Sequence, residues 1–106
     1  MSDFYILDEN KNPIETDLLT WGAFLEKEAY KNRIVGKTKI GDKKVSTVFL
    51  GLDHRWDMDK PPLIFETMVF EDNRNEIHME RYSTWKEAEE GHERACRWVL
   101  NGCKDE

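Results

Sequence analysis

Cysteine occurs only twice in this chain, at Cys96 and Cys103, which is too few for a cysteine-rich zinc site. If one helix runs through both, their seven-residue separation puts them about 10.5 Å apart along its axis, beyond the roughly 7 Å Cα limit of a disulfide. Two reduced thiols are therefore expected. Histidine is almost as scarce, with His54, His78 and His92 alone. No His-Glu-x-x-His spacing occurs, so no bound metal and no cofactor are expected. Gly41, Gly51 and Gly91 stand isolated, so there is no glycine-rich phosphate loop. Ser46 and Ser83 lack the flanking glycines of a nucleophile elbow.

An excess of positive charge is also missing. The 106 residues carry 16 Lys and Arg against 22 Asp and Glu, a net charge of -6. Nucleic-acid binding needs cations to displace counterions, so no nucleic-acid partner is expected. Acids and bases alternate, as in Lys86-Glu87-Ala88-Glu89-Glu90, which argues against an acidic DNA mimic as well. No run is long and apolar enough to span a membrane, and Met1-Ser2-Asp3-Phe4 lacks the basic start of a signal peptide. The protein is expected to stay in the compartment where it is made.

The remaining composition supports a core. Apolar residues make up 39% of the chain, with four Trp and five Phe. Repeats and linkers are absent, so residues 1–106 read as one domain.

Phe4 to Leu7 has strand character, and Asp8 to Pro13 reads as a turn. Asp17 suits the N-cap of a helix to about Tyr30, with Leu18, Trp21, Leu25 and Ala29 on one stripe. Strands are expected over Arg33 to Ile40, Val45 to Leu52, Leu63 to Glu71 and Glu76 to Tyr82. A long loop, Asp53 to Pro62, separates the second of these from the third. Thr84, with Glu87 three residues on, forms a capping box for a last helix over 84–100. The order β-α-β-β-β-β-α predicts an α+β fold, an antiparallel four- to five-stranded meander with two helices packed on one face.

Pairing Glu71 with Glu76 across the last hairpin sets Phe70 against Ile77, Met68 against Met79 and Glu66 against Arg81. The apolar pattern marks this as the core face, with Glu66–Arg81 as an ion pair at its end. Trp21, Leu25, Phe49, Met68, Ile77, Trp85, Ala88 and Val99 are expected to be largely buried. The opposite face carries Val69–His78, Thr67–Glu80 and Phe65–Tyr82; the last pair reads as cross-strand packing or as a partner or homodimer contact. His92 reads as a core-edge histidine with one hydrogen-bond partner, over Met68 and Met79.

A meander returns alternate turns to one end of the sheet. Asp53, His54, Trp56, Glu66, Arg81 and the helix start at Thr84 are thereby expected near one another, as a ligand- or partner-binding site. Three functions are open on these residues. The first is a non-enzymatic protein that binds a protein partner. The second is a domain binding a small, nucleotide-like anion through His54, Arg81 and the Thr84 helix start. The third is a small hydrolase using Asp53, His54 and Glu66.

Three ordered blocks resemble a known group of proteins. Val45-Ser-Thr-Val-Phe-Leu-Gly-Leu-Asp-His54, Phe65-Glu-Thr-Met-Val-Phe70 and Arg81-Tyr-Ser-Thr-Trp-Lys-Glu-Ala88 with Gly91-His92 resemble a family of small uncharacterised proteins of tailed bacteriophages and prophages. The resemblance covers roughly Trp21 to His92. It implies a phage or prophage accessory protein acting in the bacterial host cytoplasm on a host or phage protein. It supplies no activity and no ligand.

Overall fold

The apolar run Phe4–Leu7 forms strand β1 and pairs antiparallel with a second strand, β2, over Pro13–Thr16. In this computed structural model the described residues are 3–27, 30–72 and 74–104. The turn between β1 and β2 is closed by Asp8, whose Oδ1 accepts from the backbone of Asn12 at 2.9 Å and of Asn10 at 2.8 Å. The bond from Asn12 is the main reason the Asp8 carboxyl titrates below its ordinary range. Strand β2 was not expected. It is short and opens on Pro13, a residue that reads as a turn but is tolerated as the first residue of an edge strand.

Asp17 caps helix α1, Leu18–Lys27, by accepting from the Thr20 backbone at 2.7 Å. The helix ends earlier than expected, and a 3-10 turn spans Tyr30–Arg33. Residues 28 and 29, and with them the expected stripe position Ala29, lie outside the described residues.

Strands β3 (Ile34–Ile40), β4 (Lys43–Phe49), β5 (Phe65–Glu71) and β6 (Asn75–Tyr82) follow in that spatial order, antiparallel throughout. Helix α2, Trp85–Leu100, lies across all four. The fold is α+β. Helices α1 and α2 share one face of the meander, since Phe24 of α1 meets Phe49 edge-on at 6.1 Å and Trp85 of α2 meets Phe65 at 6.1 Å. The β1–β2 hairpin is a separate small sheet on that same side, tied to the chain after β4 by the Phe4–Leu52 bridge and a 2.7 Å bond from Tyr5 N to Gly51 O.

The β5–β6 register pairs Phe65 with Tyr82, Glu66 with Arg81, Thr67 with Glu80, Met68 with Met79 and Val69 with His78. A bulge then shifts the tip, so that Phe70 pairs with Glu76 and Glu71 with Asn75. The expected Glu71–Glu76 pairing would set two like charges directly opposite, which destabilises a sheet; the bulge removes it. Asn73, in the turn, lies outside the described residues.

The core lies on the other face from the one expected. Val45, Thr47, Phe49, Phe65, Thr67, Val69 and Tyr82 are buried, whereas Ile77 is 37% and Met79 40% exposed. The polar members of the covered face mislead because each has a partner. Glu80 accepts from Arg94 of α2, His78 lies over the Trp98 ring at 4.9 Å, and Thr47 and Thr67 bond to each other. Of the expected core, Phe49, Ala88 and Val99 are buried; Trp21, Leu25, Met68 and Trp85 are half-buried, and Ile77 is exposed.

Small residues Ala88, Gly91, Ala95 and Val99 form the buried stripe of α2 and let it approach the sheet closely. His92 lies over β3 and β4 rather than over Met68 and Met79. It has two partners: Nε2 is 2.9 Å from Thr38 Oγ1 and Nδ1 is 2.8 Å from Thr47 Oγ1. Tyr82 OH donates to Thr67 Oγ1 at 3.0 Å, and Thr67 meets Thr47 at 2.5 Å. A continuous donor chain from Tyr82 through Thr67 and Thr47 ends on His92 Nδ1 if the imidazole is neutral with its proton on Nε2, facing Thr38. Protonating Nδ1 would reverse that chain. Burial lowers the His92 pKa and pushes Tyr82 up to about 12. A histidine with a lowered folded-state pKa contributes stability that is intact above the unfolded value and is lost as pH falls through the folded one. Urea unfolding should therefore show stability falling as pH drops through the unfolded-state histidine range and below it, and His92→Gln should flatten that slope. An equal slope in the variant would assign the loss to other groups.

The chain after α2 turns at Gly102 and Cys103, and the two cysteines remain separate thiols.

Candidate functional site

Between β4 and β5 the chain makes a loop whose two ends are stitched together. Leu50 N donates to Ile64 O at 2.8 Å and His54 N to Leu63 O at 3.0 Å. Asp53 N donates to Asp3 O at 2.8 Å, which ties the loop to the start of β1. Everything beyond His54 is thus an excursion from a fixed base.

Asp53 organises that excursion. Its side chain is only 2% exposed, and its Oδ1 accepts from Arg55 N at 2.9 Å and from Leu63 N at 3.0 Å. Its Oδ2 lies 2.7 Å from Nε of Arg55, which is itself only 8% exposed. The Arg55 guanidinium reaches across the loop, and Nη1 donates to Lys60 O at 2.7 Å. Farther out, Asp57 accepts from Asp59 N through its side chain and from Lys60 N through its carbonyl. One buried ion pair and five local hydrogen bonds brace a segment of about ten residues, so loop length here does not mean looseness.

The braced loop carries Trp56 at 93% exposure, with Met58 beside it at 51%. An indole left in water forgoes a large burial gain. His54 is half-buried, and its imidazole makes no hydrogen bond to the described residues.

The other expected site residues divide between the two faces of the sheet. Glu66 and Arg81 project from the face that α2 leaves uncovered, and Arg81 Nε donates to Glu66 Oε2 at 3.0 Å. Thr84 begins α2, on the opposite side. Its capping box is complete: Thr84 Oγ1 accepts from Glu87 N, and Glu87 Oε1 accepts from the backbone of Ser83 and of Thr84. The helix start thus already holds a carboxylate of its own. Arg81 is engaged by Glu66, so of the three groups expected to hold an anion, the guanidinium and the helix start are occupied within the chain. The two acids of the hydrolase reading are likewise committed, Asp53 to Arg55 and Glu66 to Arg81. With side chains only 11% and 29% exposed, Glu66 and Arg81 should show a coupling of about 0.2–1 kcal/mol in a double-mutant cycle. Zero coupling would mean that the pair contributes no net stability.

One acidic group could hold a cation by geometry. Carboxylate oxygens of Asp42, Glu71 and Asp72 lie within 4.8 Å of one another at the hairpin tips. Lys43 Nζ already sits 3.1 Å from Asp42 and 3.8 Å from Glu71. An ammonium therefore supplies positive charge there.

Arg55 is the residue whose importance was not read from the sequence. The Asp53-x-Arg55 spacing was the available signal, because an Asp side chain readily bonds the backbone two residues on and so holds its neighbour in place. Compared with protein-family models, curated proteins and solved structures, the chain matches none.

Proposed function

We propose that this chain is a non-enzymatic protein-binding domain whose partner-facing element is the Asp53–Leu63 loop, with Trp56 as the anchor. The observation that carries this reading is the exposed indole on a loop braced from within by a buried ion pair. Binding energy at protein interfaces concentrates in a few residues, and Trp is the most enriched of them. Association also costs the ordering of whatever becomes fixed. Here the Asp53–Arg55 brace has met much of that cost in the folded domain. Asp57 and Asp59 follow Trp56, so a partner with an apolar pocket edged by basic residues complements the loop. The three blocks that resemble tailed-phage and prophage proteins make a host or phage protein in the bacterial cytoplasm the natural partner. The anion-binding reading lacks an equivalent support, since its cation and its helix start are already engaged.

The test compares the wild type with Trp56→Ala and with Leu19→Ala, a control for exposed apolar surface elsewhere, at 85% exposure. Each is immobilised and presented with bacterial lysate. Both variants should keep wild-type stability within about 0.5 kcal/mol, as exposed positions do. A species held by the wild type and by Leu19→Ala should be lost about tenfold or more with Trp56→Ala. Identical retention by all three would remove the loop as the binding element.

A further inference from the structure

The second face of the β3–β6 sheet has no described element over it. Both helices and the β1–β2 hairpin pack on the Phe49–Phe65 side. The uncovered side presents Val48, Met68, Phe70, Ile77 and Met79 as a continuous apolar field. Between Lys37 and Phe70 it dips into a depression of about 220 Å³. Contiguous apolar surface of this kind on a small domain marks a contact site.

Charge on this face runs against the rest of the molecule. Lys37, Lys39, Lys44 and Arg81 stand there with only Glu66 and Glu76, in a chain whose net charge is -6. Arg81 and Glu66 neutralise each other. The three lysines are crowded into the β3–β4 half. Lys39 is directly opposite Lys44, a like-charged cross-strand pair that weakens a sheet. Lys37 lies close enough to Lys44 to lower its pKa. Among the described residues none of the three lysines makes an ion pair. A lysine cluster without its own acids, beside an apolar depression, is complementary to carboxylates placed next to large apolar side chains.

We infer that the uncovered face docks an acidic protein segment that carries large apolar side chains. Carboxylates of the segment lie over Lys37, Lys39 and Lys44, and an apolar side chain enters the depression beside Phe70 and Met68. A second copy of this chain fits less well, because it would bring the same excess of cations, and the same net negative domain, against this face. Single-stranded nucleic acid would meet the lysines, but among the described residues Phe70 is the only aromatic platform on the face, and the net charge of -6 repels phosphate. The inference is independent of the Trp56 loop, which lies outside this face.

A library of random peptides of about twelve residues, displayed and selected on the wild type at low salt, supplies the probe. Selection against the Lys37→Glu/Lys44→Glu variant isolates ligands of this face. Enriched peptides should carry more acids than bases, with apolar residues among them. Their synthetic forms should bind the wild type at least about tenfold more tightly than the variant, and more weakly as salt rises. If that variant does not fold, Met79→Glu serves in its place, since Met79 is 40% exposed. The inference fails if selected peptides show no acidic bias or bind both proteins equally. It also fails if an oligothymidine strand of about twelve nucleotides binds this face more tightly than they do. A dimer in sedimentation that Phe70→Glu abolishes would assign the face to a second copy instead.

Discussion

Asp53→Ala is expected to cost about 3–5 kcal/mol, the range for removing one partner of a buried ion pair. Three losses coincide at this one carboxylate. The Arg55 guanidinium, 8% exposed, loses the charge 2.7 Å from its Nε. The backbone amides of Arg55 and Leu63 lose the oxygen that accepts from both. Asp53→Asn keeps an acceptor for the two amides and removes only the charge, so its cost should fall between that of the wild type and that of Asp53→Ala. Urea unfolding measures both. A loss below about 1 kcal/mol for Asp53→Ala would show that the loop is not braced in the way the geometry describes.

Gly91→Ala should cost about 3 kcal/mol or more, at or beyond the upper end of overpacking penalties. Gly22→Ala, the same change in the other helix, should stabilise by up to about 1 kcal/mol. Helix propensity favours alanine at both sites, so the difference in sign isolates sterics. A Cβ on Gly91 would fall well inside contact distance of the Tyr82 ring and hydroxyl, whereas one on Gly22 meets nothing within 4 Å. Tyr82 cannot swing aside cheaply. It is 6% exposed, and its hydroxyl donates to Thr67, the first link of the chain that ends at His92. Gly91→Ala should therefore also disturb the His92 imidazole resonances. A gain in stability from Gly91→Ala would mean that α2 sits farther from β6 than the structure places it.

The strand order and most of the hairpin register were legible because short turns leave a chain few choices. Thr84 and Glu87 announced the start of α2 by spacing alone, and Asp17 did the same for α1. The inside of the sheet was not legible. Met68, Phe70, Ile77 and Met79 are more apolar than Thr67, His78 and Glu80, yet they lie on the uncovered face. Counting hydrophobicity fails where polar residues find partners across the layer, as Glu80 does with Arg94 and Thr67 does with Thr47 and Tyr82. Those partners come from α2 and from the strands on either side of β5, and no local pattern reveals them. The same holds at the candidate site. Asp53, His54 and Trp56 could be grouped from one loop, but Glu66–Arg81 and Thr84 fell on opposite sides of the sheet. A meander argument places residues at one end of a sheet without saying which face they occupy.

The central claim is that Trp56 contacts a protein partner. Replacing Trp56 by a photoreactive benzoylphenylalanine and illuminating the protein in bacterial extract tests this most directly. Crosslinking should give one adduct of defined mass, suppressed by excess wild-type protein and not by excess Trp56→Ala. Diffuse adducts, or one suppressed equally by both competitors, would contradict it.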